Sequence, residues 1–245
     1  MSRTVPSPRL GFLYPGHAAE DDYPLLGRMI DPPAEVHLVH TGFLEDAHTV
    51  EALSEMGSLP RLQKGAEGLD GSGIESVLWT STSASFVLGL DGIRQQIDAL
   101  EKALGVPAST TAMAFARAIT AINANSVAIA ATYPEDVAQR FCQFLDHFDI
   151  NVVHVSSRGI VTAAEVGELE KDDVIEFAVA NSHNDADALL IPDTALHSAA
   201  WLPDIESATG KPVLTANQVS FWEALRLCGK LTPQRGLGRL FEEIP

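Results

Sequence analysis

Short apolar runs alternate with amphipathic stretches along most of the chain. The runs at 9–14, 74–80, 126–132 and 187–191 have the length of strands, whereas 88–104 carries apolar residues at helical spacing. Strands that alternate with helices predict a parallel sheet covered on both faces and joined by right-handed crossovers. Ligands of such sheets bind beyond the carboxyl ends of the strands. We therefore expect an α/β fold with its functional residues at strand ends.

Two of these strand ends break into polar residues in a similar way. The apolar run 77–79 ends in the hydroxyl-bearing residues 80–83, and the run 188–192 ends in Asp193 and Thr194. Because the carboxyl ends of parallel strands lie at one edge of a sheet, such residues are candidates for a shared site. We expect the two strand ends to face each other across one active site.

The order of features in the first part of the chain repeats in the second part. Tyr14-Pro15 is followed by an acidic pair, and so is Tyr133-Pro134; further pairs in the same order are Ser81 with Asp193, Pro107 with Pro212, and Phe115 with Phe221. Such repetition indicates an ancient duplication. We expect two pseudo-symmetric, Rossmann-like halves, residues 1–124 and 125–245, with the site in the cleft between them. The C-terminal helix and tail are expected to pack back on the first half.

The charge of the chain limits the class of partner. The 245 residues include 16 Lys and Arg against 33 Asp and Glu, for a formal net charge of −17. Nucleic acids and anionic membranes select basic surfaces, so neither is expected as a partner. The start of the chain has no apolar signal region, and no segment offers the roughly 20 apolar residues of a membrane span. We expect a cytoplasmic protein.

Motifs for metals, cofactors and disulfides are missing from the sequence. Cys142 and Cys228 lie far apart, and His183, Asp185 and Asp187 do not have a recognised ligand spacing. No phosphate-binding glycine loop and no nucleophile elbow is found. The sequence therefore predicts neither a metal nor a cofactor.

The motifs resemble those of the aspartate/glutamate racemase superfamily, in the branch of arylmalonate decarboxylase, maleate isomerase and the ectoine-utilisation proteins. The resemblance rests on the paired strand ends, on the duplication, and on the C-terminal segments 221–227 and 236–241. It implies chemistry without a cofactor through an enediolate beside a bound carboxylate, in a monomer or homodimer. Members of the superfamily carry a catalytic cysteine at one or both strand ends. Here those positions hold Ser81 and Asp193.

The resemblance also implies which residues bind and which transform the substrate. Fixed hydrogen-bond donors stabilise developing negative charge, and the candidates for binding a small carboxylate substrate are Tyr14, Pro15, Thr82, Ser83, Tyr133 and Thr194. The alternative for the hydroxyl residues is that they only cap helices.

The catalytic candidates are Asp193, Ser81 and His17. Asp193 is a useful proton donor near neutral pH only if burial stabilises its protonated form, and its alternative is a helix cap. Ser81 needs an activating partner to be a nucleophile. His17, in the loop after the first strand, is a possible proton-transfer group. His197 follows Asp193 by about one helical turn and could face it.

Three functions remain open at this stage. The first is a cofactor-independent decarboxylase that acts on a small malonate-type or other diacid. The second is an isomerase or racemase that uses an acid/base pair without cysteine. The third is a pseudoenzyme without the catalytic cysteines that binds a small carboxylic acid. Release of carbon dioxide would separate the first function from the other two.

Overall fold

Two four-stranded parallel sheets with helices on their faces make up the protein. The computed structural model describes residues 6–16 and 18–242. The strands within these residues are β1 (Arg9–Tyr14), β2 (Glu35–His40), β3 (Ser76–Trp79), β4 (Ala108–Thr110), β5 (Ser126–Ala131), β6 (Asn151–Ser157), β7 (Ala188–Ile191) and β8 (Val213–Thr215). The predicted α/β fold class is confirmed.

Helices connect the strands in both halves. They are α1 (Asp22–Met29), α2 (Val50–Met56), α3 (Leu59–Glu67), α4 (Ser83–Phe86), α5 (Gly89–Leu104), α6 (Thr111–Ala121), α7 (Glu135–Asp146), α8 (Ala163–Gly167), α9 (Lys171–Ala180), α10 (Leu202–Thr209), α11 (Ala216–Leu227) and α12 (Arg239–Glu242). A 3₁₀ turn spans Ala199–Trp201. Among the described residues, no helix is long and apolar enough to cross a membrane.

The two sheets have the same strand order. The first sheet runs β2-β1-β3-β4 and the second runs β6-β5-β7-β8, with all neighbouring strands parallel. The inner strands β3 and β7 are fully buried, in agreement with their unbroken apolar sequences. Because all strands of a sheet point the same way, the segments that follow β1, β2 and β3 lie at one edge of the first sheet.

Local signals explain where several helices begin and end. The side chain of Thr110 accepts a hydrogen bond from the backbone N–H of Met113 at the start of α6. Thr215 and Gln218 form a reciprocal capping box at the start of α11. Helices α5 and α10 end at Gly105 and Gly210, which both adopt the left-handed conformation that glycine tolerates.

Helix α11 lies across the junction and packs on the first sheet. The hydroxyl of Ser76 in β3 donates to the carbonyl of Ala224 at 2.8 Å. The hydroxyls of Thr111 and Ser220 are 2.7 Å apart, so helix α6 of the first half and helix α11 of the second half are in direct contact. The rings of Phe12 and Phe221 stack with their centroids 6.2 Å apart. The two halves therefore share one continuous core.

The sequence predicts a mostly helical segment over residues 45–68, and the structure has helices α2 and α3 there, but residues 45–49 are not helical. Helix α2 begins only at Val50, and residues 41–49 form a loop. The short helices α4 and α8 were also not predicted. A helix of four or five residues contains too few apolar positions to produce a periodic pattern.

Candidate active site

A small cavity lies at the carboxyl ends of the inner strands, where the two halves meet. Its lining includes Tyr14 after β1, Ser81 and Ser83 after β3, and Asp193 and Thr194 after β7. Its volume is about 40 Å³, which is room for a few water molecules. The two polar strand ends identified in the sequence therefore line the same cavity.

The first strand end is fixed by hydrogen bonds to its own surroundings. The backbone N–H and the hydroxyl of Thr80 both donate to the carbonyl of Leu13, at 2.9 and 2.6 Å. The hydroxyl of Ser81 accepts from the backbone N–H of Ala84 at 3.3 Å, and its carbonyl accepts from the hydroxyl of Ser85 at 2.9 Å. The Ser81 hydroxyl therefore satisfies one backbone N–H in the first turn of α4.

Beyond these bonds, the first strand end presents several donors without partners. The backbone N–H groups of Ser81, Thr82 and Ser83 have no hydrogen-bond partner among the described residues. The hydroxyl of Thr82 is buried and also has none. Buried donors are normally satisfied, so such a run is best explained by a ligand or by ordered water. We call residues 81–83 the donor turn.

The second strand end carries a buried carboxylate whose two oxygens both accept hydrogen bonds. Asp193 is 5% exposed. Its Oδ2 accepts from the hydroxyl of Thr132, and its Oδ1 accepts from the backbone N–H of Ala195 at 2.9 Å. No helix follows directly, so Asp193 fixes a turn rather than a helix start.

Two buried tyrosines hold the main chain of the second strand end. The hydroxyl of Tyr14 donates to the carbonyl of Thr194 at 3.0 Å, and that of Tyr133 donates to the carbonyl of Pro192 at 2.7 Å. Burial raises the pKa of both phenols well above the ordinary value, and the charge of Asp193 adds to this. Both tyrosines are therefore neutral donors whose hydroxyls are engaged by the backbone.

A loop from the first half, residues 41–49, closes the cavity against the second half. Asp46 accepts hydrogen bonds from the backbone N–H groups of Ala163 and Ala164, at 2.8 and 3.1 Å. The ring of Phe43 packs on Gly16, where an added Cβ would lie 2.1 Å from the ring. All of these residues except Ala164 line the cavity. The loop therefore bridges the two halves over the site.

His48 in the same loop is a cavity residue that the sequence prediction missed. Its backbone N–H donates to the carbonyl of Val161 at 2.7 Å, and its Nδ1 lies 3.1 Å from the carbonyl of Ile160. The ring meets that of Tyr133 edge-on, with centroids 5.4 Å apart. One available signal is its place after β2, since the carboxyl end of every strand in a parallel sheet faces the same edge.

The charged groups of the cavity are mainly acidic. Asp46 and Asp193 contribute carboxylates, and His48 can gain a proton, whereas no lysine or arginine occurs among the described lining residues. Positive potential for an anionic ligand must therefore come from backbone N–H groups or from protonated His48. The described residues contain no cluster of three or more His, Cys, Asp or Glu side chains that could hold a metal ion.

The predicted site residues fall into three groups. Those that line the cavity are Tyr14, Pro15, Ser81, Ser83, Asp193 and Thr194. Thr82 and Tyr133 are buried beside it. His17 lies outside the described residues. Their roles stay predictions.

Other candidates lie away from the cavity lining. His197 does not face Asp193, because its Nε2 lies 2.8 Å from a carboxylate oxygen of Asp21. Cys142 and Cys228 are not among the described lining residues, and burial raises the pKa of both thiols.

Comparison with known proteins identifies relatives over most of the chain. The family model for arylmalonate decarboxylase matches residues 34–241. The arylmalonate decarboxylase of Bordetella bronchiseptica is 28% identical over 186 residues, which cover 75% of each chain. The resemblance expected from the sequence is confirmed.

Solved structures give the same result for the fold. A liganded double mutant of arylmalonate decarboxylase has a TM-score of 0.84 at 25% identity, covering 97% of this chain and 100% of its own. The maleate isomerase of Pseudomonas putida S16 has a TM-score of 0.87 at 19% identity, covering 97% of this chain and 99% of its own. The similarity to the isomerase concerns the fold alone.

Proposed function

The chain belongs to the arylmalonate decarboxylase family, and we propose that it is a cofactor-independent lyase that removes one carboxylate from a small malonate-type diacid. Its curated relative is a decarboxylase, which supports an enzyme of this family. The substrate class is our inference from the site. An isomerase is the second candidate.

The observation that carries the proposal is the donor turn at residues 81–83. Three successive backbone N–H groups and the hydroxyl of Thr82 lack partners beside a closed cavity. An enediolate concentrates negative charge on two oxygens, and fixed donors in a cavity that excludes water stabilise such charge strongly. We propose that the retained carboxylate binds here, with Thr194 completing the contact from the second half.

The reaction needs a second, apolar region for the carboxylate that leaves. Leu53, Met56 and Phe43 line the cavity together with the donor turn. A carboxylate loses its charge when it becomes carbon dioxide, so apolar surroundings favour the product over the reactant. When the carbon–carbon bond breaks, its electron pair moves into the retained carboxylate and forms the enediolate.

The acidic side chains have a role in supplying the proton that replaces the lost carboxylate. Asp193 and Asp46 place two negative charges around a small cavity. Negative charges at short range favour protonation of a neighbouring group, especially where water is excluded. We propose that these two charges favour a protonated group in the cavity, which then delivers its proton to the reacting carbon.

Proton NMR in deuterated water with a panel of malonate and 2-substituted malonates tests the proposal. We expect loss of one carboxylate and a single deuterium at the former α-carbon. The matched control is Thr82→Val, which removes the partnerless hydroxyl and keeps the shape of the side chain. An unchanged panel, with saturable binding of the same diacids, would instead assign the chain to small-acid binding.

The second candidate function, isomerase or racemase chemistry, is favoured by one observation. Asp193 and His48 are proton-transfer groups of different type that line the same cavity. A racemase needs two such groups, one to remove a proton and one to deliver it. In the same NMR experiment, deuterium at the α-carbon without loss of a carboxylate would support this function over the lyase.

A further inference from the structure

We infer that His48 is the catalytic residue that delivers the proton to the substrate carbon, through its Nε2. The inference rests on the proposed function and assigns the group that the reaction requires after carbon dioxide leaves. The observation that carries it is an imidazole held at one nitrogen, in a cavity whose other titratable side chains, among the described residues, already make hydrogen bonds.

The other titratable side chains of the described lining are each held by two hydrogen bonds. Asp193 accepts from Thr132 and Ala195, and both oxygens of Asp46 accept from backbone N–H groups after position 162. Tyr14 donates to Thr194 and accepts from the N–H of Ala19 at 3.1 Å. A proton donor needs a free atom directed at the substrate, so none of these three is well placed.

His48 differs because one of its ring nitrogens is held and the other is not. Nδ1 lies 3.1 Å from the carbonyl of Ile160, so Nδ1 carries a proton and donates it. Nε2 has no partner among the described residues. The carbonyl thereby fixes the tautomer, and Nε2 is the nitrogen that gains and loses a proton.

The position of the imidazole is fixed independently of its protonation. The backbone N–H of His48 is bonded to Val161 at 2.7 Å, and its ring is packed edge-on against Tyr133. The bond from Nδ1 to Ile160 persists in both the neutral and the charged form, because Nδ1 is protonated in each. His48 can therefore change its charge without leaving its place in the cavity lining.

Acidic groups surround His48 in the cavity. The titratable groups that face it are Asp46, Asp193, Tyr14 and Tyr133, and both tyrosines are neutral phenols. A bound diacid adds negative charge to a cavity that already holds two carboxylates. Protonation of His48 offsets part of this charge, so binding of the diacid and uptake of a proton are coupled.

The step balances in atoms and electrons. Cleavage of the bond between the α-carbon and the leaving carboxylate releases carbon dioxide and leaves the enediolate. The electron pair of the enediolate then forms a new C–H bond with the proton on Nε2 of His48, and the N–H bond breaks. Neutral His48 regains a proton from water. The net reaction consumes one proton for each diacid.

The first arm of the test does not require activity. Two-bond ¹H–¹⁵N correlation spectra of histidine-labelled protein report the tautomer and charge of His48, with the signal assigned by its loss in His48→Asn. We expect the Nδ1–H tautomer in the free protein and protonation of Nε2 on saturation with malonate. An Nε2–H tautomer, or a charge that malonate does not change, overturns the inference.

The second arm compares His48→Asn with His48→Gln, whose amide groups take the place of different parts of the imidazole. Asparagine at position 48 retains a donor near Nδ1 for Ile160 and removes the titrating nitrogen, whereas glutamine places an amide near Nε2. We expect both to lower kcat by about 10²–10⁴-fold, the usual range for a general acid, with a smaller change in malonate Kd. The control is His147→Asn, because Nδ1 of exposed His147 also lies near a backbone carbonyl, at 2.7 Å.

The arms separate failure of the inference from failure of the proposed function. Turnover of a diacid by wild type that His48→Asn retains in full overturns the assignment of His48 and leaves the lyase proposal intact. If wild type decarboxylates no member of the panel, the lyase proposal fails. The tautomer and the malonate-dependent protonation then still decide whether His48 is the proton-transfer group of this cavity.

Discussion

The two strand-end segments occupy equivalent places in the two sheets and have opposite hydrogen-bonding character. Residues 81–83 present donors that have no partner, whereas Asp193 is an acceptor with both oxygens filled. A site that binds an anion needs hydrogen-bond donors that have no other partner, whereas a buried carboxylate needs donors that already bond to its oxygens. The difference indicates that the equivalent strand ends of the two sheets have two chemical roles around one cavity.

The tyrosines show the same asymmetry. Tyr14 and Tyr133 end equivalent strands, yet both hydroxyls donate to carbonyls of the second strand end, at Thr194 and Pro192. The first strand end is held by Thr80, by the short helix α4 and by Gln96, whose side chain donates to the carbonyl of Ala84 at 3.0 Å. Both tyrosine hydroxyls therefore position the second strand end.

Removing the charge of the second strand end tests the comparison most severely. In Asp193→Asn one acceptor oxygen remains for Ala195, but the negative charge is lost. We expect kcat on a turned-over diacid to fall by about 10²-fold, or about 2.7 kcal/mol of transition-state free energy. Steady-state assays of carbon dioxide release measure this. Asp21→Asn is the control, since Asp21 is an exposed carboxylate that binds His197; an unaltered rate in Asp193→Asn would refute the role of the charge.

The donor turn predicts opposite effects on activity and stability. Thr82→Val removes a buried hydroxyl that has no partner, so we expect kcat/KM to fall roughly 10- to 10²-fold while the free energy of unfolding does not fall. Ser85→Ala is the matched control, because its hydroxyl donates to Ser81 at 2.9 Å and its loss costs about 1 kcal/mol. Urea titrations and steady-state kinetics report both quantities. A less stable but fully active Thr82→Val would contradict the donor assignment.

The size of the cavity predicts a change in selectivity rather than in rate. Phe43→Ala removes the ring that packs on Gly16, and we expect KM for 2-substituted malonates to fall roughly fivefold, equivalent to about 1 kcal/mol. KM for malonate itself is expected to stay unchanged, because malonate does not need the added space. Leu44→Ala, at an 81% exposed neighbouring position, is the control. Equal effects on both substrates would show that Phe43 does not limit the cavity.

Another buried carboxylate, Asp22, sharpens the comparison through stability. Its Oδ2 accepts from the N–H groups of Ser198 and Ala199 and from Asn217, at 2.9, 3.1 and 3.0 Å, yet burial raises its pKa above the ordinary value of 3.8. A raised pKa means that Asp22 stabilises the fold below its ordinary pKa, and that this contribution is lost as pH rises through the folded pKa.

In Asp22→Asn this dependence disappears. We expect the free energy of unfolding of wild type, relative to the variant, to decline as the pH rises above about 4, the ordinary range of an aspartate. Urea midpoints measured in parallel at each pH cancel the contributions of the other carboxylates. A difference that grows with pH would mean that the hydrogen bonds outweigh the burial.

Local signals explain which parts of the fold could be predicted from the sequence. Strand β1 has the predicted bounds, 9–14, because its end coincides with Pro15. The paired strand ends were located for a similar reason, since an apolar run that breaks into polar residues marks the carboxyl end of a buried strand.

The roles of single side chains depend on partners that are distant in the chain. Residues 45–49 have a helix-compatible sequence, but Asp46 and His48 bind to residues 160–164 of the other half. These contacts exist only in the folded molecule, so no local pattern identified His48. For the same reason the sequence could not show that the hydroxyl of Tyr133 is engaged by Pro192.

The bonds between the 41–49 loop and residues 160–164 have a consequence for the order in which products depart. With these bonds closed, about 40 Å³ is available in the cavity, too little for an acid with a carbon skeleton to move past Phe43. Carbon dioxide is linear, uncharged and close in size to a few water molecules. We therefore expect carbon dioxide to diffuse out first, and the product acid to leave only after the loop opens. Once carbon dioxide has left the cavity, the reverse carboxylation lacks one of its reactants. Its early departure therefore makes the chemical step irreversible.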